Sequence, residues 1–222
     1  MRVLAATLLA SLLVSTTACN GQTDAGKSIS AGEGAASPVA AVQGLVDAIN
    51  SGDFPTASRY AVPGQAALAS LAEGASFGEV AGALREGDEE IAANFWAGFA
   101  QGAGTFLAGE VTSEGEGTVE QEDVVFSQVT VSPQGEGDRQ VLTRDVDGHR
   151  VDLFASFGAG LADKMTPAVE RLLGTQTEDA RLILVRLQEI VPSLLAAARL
   201  PGTTGAVNQQ ILALVELITR VA

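Results

Sequence analysis

The sequence predicts an α+β fold in which helices come first, a curved antiparallel sheet follows, and helices return at the end. Three patterns carry that expectation. Apolar residues recur at helical spacing from Val39 to Phe99, β-branched residues alternate between Thr105 and Ala155, and helical spacing resumes from Leu161 to Val221. With 46% hydrophobic but only 5% aromatic residues, the core must be built from Ala, Val and Leu.

The first 18 residues carry one charge, Arg2, then an apolar run over 3–14 and small residues up to Ala18. That is the layout of a secretory signal peptide. The run is too short to cross a bilayer core, which takes about 20 residues as a helix. Cys19, the only cysteine, follows Thr16, Thr17 and Ala18. The segment resembles a bacterial lipoprotein signal, in which an aliphatic, a small and a second small residue precede a cysteine that is acylated. Thr17 and Ala18 match, and Thr16 stands where that family usually has an aliphatic residue. The resemblance implies lipidation of Cys19, with palmitate among the acyl groups, and an exported protein held at the outer face of the cell membrane. Each buried methylene contributes about 0.8 kcal/mol, so two or more chains anchor durably. The alternative is an ordinary signal peptide cut after Ala18 or a few residues later, which leaves a free thiol or none; an internal disulfide is excluded by the single cysteine. Residues 19–37 hold one aliphatic residue larger than Ala, Ile29, among Gly, Ser and charge, and read as a flexible tether.

Charge divides the remainder. Of 27 acidic residues, 21 lie in 19–158 against six basic ones, whereas 159–222 carries six of each. An acidic body is repelled by phosphate, which excludes nucleic acid as a partner. The expected organisation is an α+β domain over 38–158 with C-terminal helices over 159–222 packed on it.

Ser37 followed by Pro38 marks a helix start. Val39, Val42, Leu45, Val46 and Ile49 then share a face, and Ser51, Gly52 and Asp53 end that helix and cap a second over Phe54–Tyr60. Residues 64–72 and 77–85 predict further helical turns. The segment 88–99 opens with acids that complement the helix dipole, and Ile91, Phe95 and Phe99 line one face with Trp96 beside them. Strand character is expected from Thr105 and again over 124–131, where Val125, Val129 and Val131 have even spacing. Asp147-Gly148 predicts a two-residue hairpin turn, after which Val151, Leu153 and Ala155 should face one side and Arg150 and Asp152 the other. Leu161, Met165, Val169 and Leu172 predict a helix. Residues 178–200 predict a second, bent at Pro192. Val207, Ile211, Leu214, Ile218 and Val221 predict the last, with Leu212, Val215 and Leu217 broadening its face.

The run AVQGLVDAINSGDFPTASRYA resembles the opening of NTF2-like domains, and TRDVDGHRVDLFA resembles their closing strands, with His149 near a position where that family commonly has Trp. The resemblance implies a cone: a curved antiparallel sheet wrapped by the N-terminal helices, with an internal pocket that Phe95, Trp96, Phe99 and His149 would line, and a C-terminal helical extension.

The inventory of reactive groups is small. His149 is the sole histidine, and Phe154-Ala155-Ser156-Phe157-Gly158 lacks the first glycine of a nucleophile elbow. Asp145, Asp147 and Gly148 lack the twelve-residue spacing of a calcium loop. Glu110, Glu114, Glu116, Glu120, Glu122 and Asp123 read as a solvated strand edge. No catalytic residue, metal ligand or cofactor motif is expected. The function expected is that of a non-catalytic binding or accessory module of the cell envelope, its partner an envelope protein or a cell-wall component. A carrier of a lipid or other apolar ligand is the alternative. An NTF2-like enzyme, with Tyr60, Asp145 and His149 meeting in the pocket, stands third.

Overall fold

The computed structural model describes residues 33–133 and 135–220. Cys19, the expected signal peptide and most of the expected tether lie outside them.

Helix α1 (Pro38–Ser51) begins where Ser37 accepts the Ala40 N–H at 3.2 Å, and it ends at Gly52, whose φ of 74° closes the helix in the left-handed region. Asp53 then accepts the Thr56 N–H and starts α2 (Phe54–Tyr60). The short α3 (Gln65–Ala69) runs into a 3-10 turn over Ser70–Glu73. A reciprocal box between Ser76 and Glu79 opens α4 (Phe77–Glu86). A second 3-10 turn, Glu90–Ala92, leads into α5 (Ala93–Gly102).

Strand structure begins later than expected. Thr105 lies in a single helical turn, α6 (Gly104–Leu107), because the turn buries both Phe106 and Leu107 where strand alternation would turn one of them outward. Four antiparallel strands follow in the order β1 (Glu110–Gln121), β2 (Val124–Ser132), β3 (Arg139–Asp145) and β4 (His149–Val151), curled into a half-barrel. The register pairs Val129 with Val141 and Thr143 with Val151. Val129, Val131, Val141 and Val151 are fully buried in the main core with Val42 and Leu45 of α1. The other face is also covered, since Phe126 and Leu142 pack with Ala155 and Ala196 in a smaller cluster. Val125, expected to share the buried face of Val129, is 57% exposed; it pairs with Glu120 beside the β1–β2 turn. β1 is one edge strand of the sheet, and Glu110, Glu120, Glu122 and Asp123 are exposed along it and its turn.

The β3–β4 turn is one residue wider than expected. Asp145 pairs with His149, leaving Val146, Asp147 and Gly148 between them, and the Asp145 carboxylate accepts the Gly148 N–H at 3.0 Å. Asp147 and Gly148 both have positive φ, 53° and 98°. Residues 34 and 35, assigned above to the tether, pack over this turn. Gly34 donates to Asp147 O, and Ala35 exchanges two backbone bonds of 2.9 Å with His149. A Cβ on Gly148 would come within 2.8 Å of the Gly34 backbone, so glycine there is a matter of space as well as of φ.

After Val151 the expected strand does not continue. Leu153 and Ala155 belong to α7 (Leu153–Leu173), and Arg150 and Asp152, expected on a polar face, are both buried. Two local contacts explain the switch. Asp152 accepts the Ala155 N–H at 2.9 Å as the N-cap of α7, and Ser156 Oγ bonds both N and O of Leu142, taking the place on β3 that a longer β4 would fill.

α7 runs through residues 158 and 159, where the two-part organisation was expected to divide, and the main core includes residues on both sides. Helices α8 (Glu178–Glu189) and α9 (Val191–Ala197) are separated at Ile190, with Pro192 in the first turn of α9. The last helix, α10 (Gly205–Thr219), buries Ile211, Leu214 and Ile218 and leaves Leu212 50% exposed. Among the described residues no helix is long and apolar enough to cross a membrane.

Candidate functional site

Helical spacing along α5 brings Phe95, Trp96 and Phe99 to one side of the helix, and the turn of α6 adds Phe106. Phe157, in the first turns of α7, completes an aromatic cluster. Phe99 is its hub: ring centroids lie 5.0 Å from Phe157, 5.9 Å from Trp96, 6.0 Å from Phe95 and 6.4 Å from Phe106. Most of these pairs meet edge to face, the arrangement favoured by the ring quadrupoles.

Above this floor runs a groove of about 350 Å³, lined by Phe95, Phe99, Phe106 and Phe157 and by the small residues Gly98, Gly102, Ala103, Ala159 and Gly160. A Cβ added at Gly102 or Gly160 would meet nothing within 4 Å, so glycine at both positions leaves open space. Charges stand around the groove already matched. Lys164 Nζ lies 2.8 Å from Glu73 Oε1, and Arg139 lies 2.8 Å from Glu136. Hydrogen bonds from Thr105 and Arg139 hold Glu136 below the usual carboxyl range. Two half-buried rings, Phe99 and Phe157, over the buried Phe95 and Phe106 and flanked by neutralised pairs, suit a ligand that presents an apolar or aromatic group.

Of the four residues expected to line a pocket, Phe95 and Phe99 line this groove. Trp96 lies beneath it, fully buried, its Nε1–H donated to Ser58 Oγ at 2.8 Å. His149 does not line it. That residue sits half-buried on β4, backbone-paired with Ala35, and its Nδ1 is buried without a partner. Asp145 and His149 are cross-strand neighbours, but the Asp145 carboxylate serves Gly148, and the Tyr60 ring is pressed against Gly44 of α1. Among the described residues no group of three or more His, Cys, Asp or Glu side chains could hold a metal ion.

Sequence reading missed Phe106, Phe157 and the glycines of the groove. Phe157 was visible only as part of an incomplete nucleophile motif, and nothing in its neighbours ties it to α5, nearly 60 residues earlier. Set against protein-family models, curated proteins and solved structures, the chain matches none of them.

Proposed function

We propose that this chain is an exported, lipid-anchored module of the bacterial cell envelope with an NTF2-like fold, and that it binds a partner through the aromatic groove without catalysing a reaction. The observation that carries the reading is the groove itself: an aromatic floor, glycine walls and charges that are already paired. The partner is an envelope protein or cell-wall component that inserts an apolar side chain. The buried valines on the face of the sheet that meets α1 favour this module over a lipid carrier, because side chains occupy the interior where a carrier would hold an acyl chain. The NTF2-like assignment rests on the opening pair of helices and on the curled sheet packed against α1.

Titration of isotope-labelled protein with N-acetyl-phenylalanine amide tests the groove by NMR. Saturable shifts at Phe99, Phe106 and Phe157 are expected. Gly160→Leu should abolish them by filling the groove, and His149→Ala should leave them unchanged. Stoichiometric palmitate on gently purified, anchor-free protein would replace the module reading with the carrier. The anchor is tested separately: Cys19→Ala should move the protein from the membrane fraction to the soluble one, and a native chain with an unacylated Cys19 would remove it.

A further inference from the structure

A second hollow, of about 240 Å³, lies between α3, α4 and the end of α8, away from the aromatic floor. Leu68, Leu84 and Ile190 give it apolar walls, and Gln65, Glu89 and Arg144 also line it. Each of these three carries a buried side-chain atom with no hydrogen-bond partner: Gln65 Nε2, Glu89 Oε2 and Arg144 Nε. Buried polar atoms are nearly always matched in native proteins, so three around one hollow need a cause.

Their other contacts fix what they offer. Gln65 is 2% exposed, and its Oε1 accepts the Leu153 N–H at 2.7 Å, which turns the amide so that both Nε2 hydrogens are free. Glu89 Oε1 accepts the Gly64 N–H at 2.6 Å, and the Ala67 N–H also bears on its carboxyl, whose Oε2 makes no close hydrogen bond. Arg144 Nε stands 3.3 Å from Asp152 Oδ2, close enough for charge balance without a hydrogen bond. Asp152 itself is occupied by Ala155 N and Ser193 Oγ. At the rim, Arg186 and Glu189 pair with each other at 2.8 Å. The full charges are therefore matched except at Glu89, whose carboxyl burial pushes up to about 7 against the pull of the Gly64 N–H, Arg150 and the Ala67 N–H. Both arginines that line the hollow are ion-paired, so an anionic ligand meets no free cation there.

We infer that this hollow is a binding site for a small neutral ligand carrying a carboxamide, of the N-acetyl sugar or peptide-amide class. The ligand carbonyl accepts from Gln65 Nε2 and Arg144 Nε, and the ligand N–H donates to Glu89 Oε2. The three atoms are closed off from solvent in the free protein, so binding includes a shift of the hollow's wall. The site is separate from the aromatic groove, and its fate does not depend on that reading.

The test is an NMR titration of the full folded domain with N-acetylglucosamine, with glucose as the probe that lacks the amide. Saturable shifts at Gln65, Glu89 and Leu84 are expected with N-acetylglucosamine and not with glucose. Gln65→Glu keeps the acceptor for Leu153 N but exchanges the free donor for an oxygen, and should weaken binding at least tenfold. Ala83→Phe, which fills the hollow from α4 without touching its polar groups, should abolish binding while the groove still responds to N-acetyl-phenylalanine amide. No saturable shift with N-acetylglucosamine, equal binding of glucose, or unchanged affinity in Ala83→Phe would each overturn the proposal.

Discussion

Helix α10 and the β4–α7 junction are attached to the same core by opposite means. The helix is held by Ile211, Leu214 and Ile218, all fully buried, and its longer-range polar ties are few, such as Gln210 to Asp163. At the junction the buried groups are polar: Arg150, Asp152, Gln65 and Ser193, tied by Asp152 to Ser193, Gln65 to Leu153 N, and Arg150 to the carbonyls of Val146 and Arg59. Apolar attachment is non-directional and carries no titrating group. Polar attachment is directional and leaves charges exposed to loss when one partner goes. The two regions should therefore fail differently.

The largest effect is expected from removing the apolar attachment. Deleting 205–222 strips three buried side chains, each worth about 1.5–3 kcal/mol, for a total of about 5–9 kcal/mol. That approaches the whole stability of many domains, about 5–15 kcal/mol. The truncated chain should aggregate or melt far lower in calorimetry, at every pH where the intact chain is folded. A truncated protein with a nearly unchanged melting temperature would break the claim that α10 belongs to the core.

Next in size is the polar junction. Asp152→Ala removes the α7 cap, the acceptor for Ser193 and the countercharge of Arg144 in one step, and a buried pair broken on one side typically costs about 3–5 kcal/mol. Asp152→Asn keeps an acceptor for the Ala155 N–H and should lose roughly half as much. Urea unfolding measures both as shifts in midpoint. Equal losses in the two variants would assign the effect to charge alone and remove the capping account.

The same contrast explains how much was legible beforehand. Ser37-Pro38 and Gly52-Asp53 are local signals, and α1 and α2 begin and end where those residues put them. Apolar spacing found the buried face of α10, although it overestimated the breadth, since Leu212 faces solvent. The junction was misread because VDLFAS alternates like a strand. Its outcome is decided by Asp152 as a cap and by Ser156 bonding to Leu142, fourteen residues away. The polar hollow was invisible for a related reason: Gln65, Glu89 and Arg144 come from three separate segments, and only the fold brings them to one wall. A single glutamine in the apolar run PGQAALA was the one trace. Strand parity also misled at Val125, because alternation says which face a residue takes and not whether anything covers it.

The smallest effect sharpens the comparison by adding pH, to which the apolar attachment is blind. Glu89, beside Gln65, has its carboxyl raised from 4.5 to about 7, chiefly by burial and also by Asp88, with Gly64 N–H, Arg150 and Ala67 N–H pulling it down. Between those values the native state keeps a proton that the unfolded chain has released. The stabilisation is full below about pH 4.5, declines as pH rises toward 7, and is gone above it, amounting to about 3 kcal/mol at most. Glu79 and Glu136, whose carboxyls are lowered, act with the opposite sign and lose their contribution on acidification, so the raw stability curve mixes the two. Glu89→Gln isolates the term, because the amide stays neutral and can still accept the Gly64 N–H. Subtracting the variant's unfolding free energy from that of the parent should leave a curve that falls by up to about 3 kcal/mol between pH 4.5 and 7 and is flat on either side. The slope is the readout, since a constant offset reports only the changed packing of the amide. A flat difference across that window would show that Glu89 is solvated like a surface carboxylate and that the hollow beside it is open to water, and one that rises would show that the Gly64 N–H and Arg150 outweigh its burial.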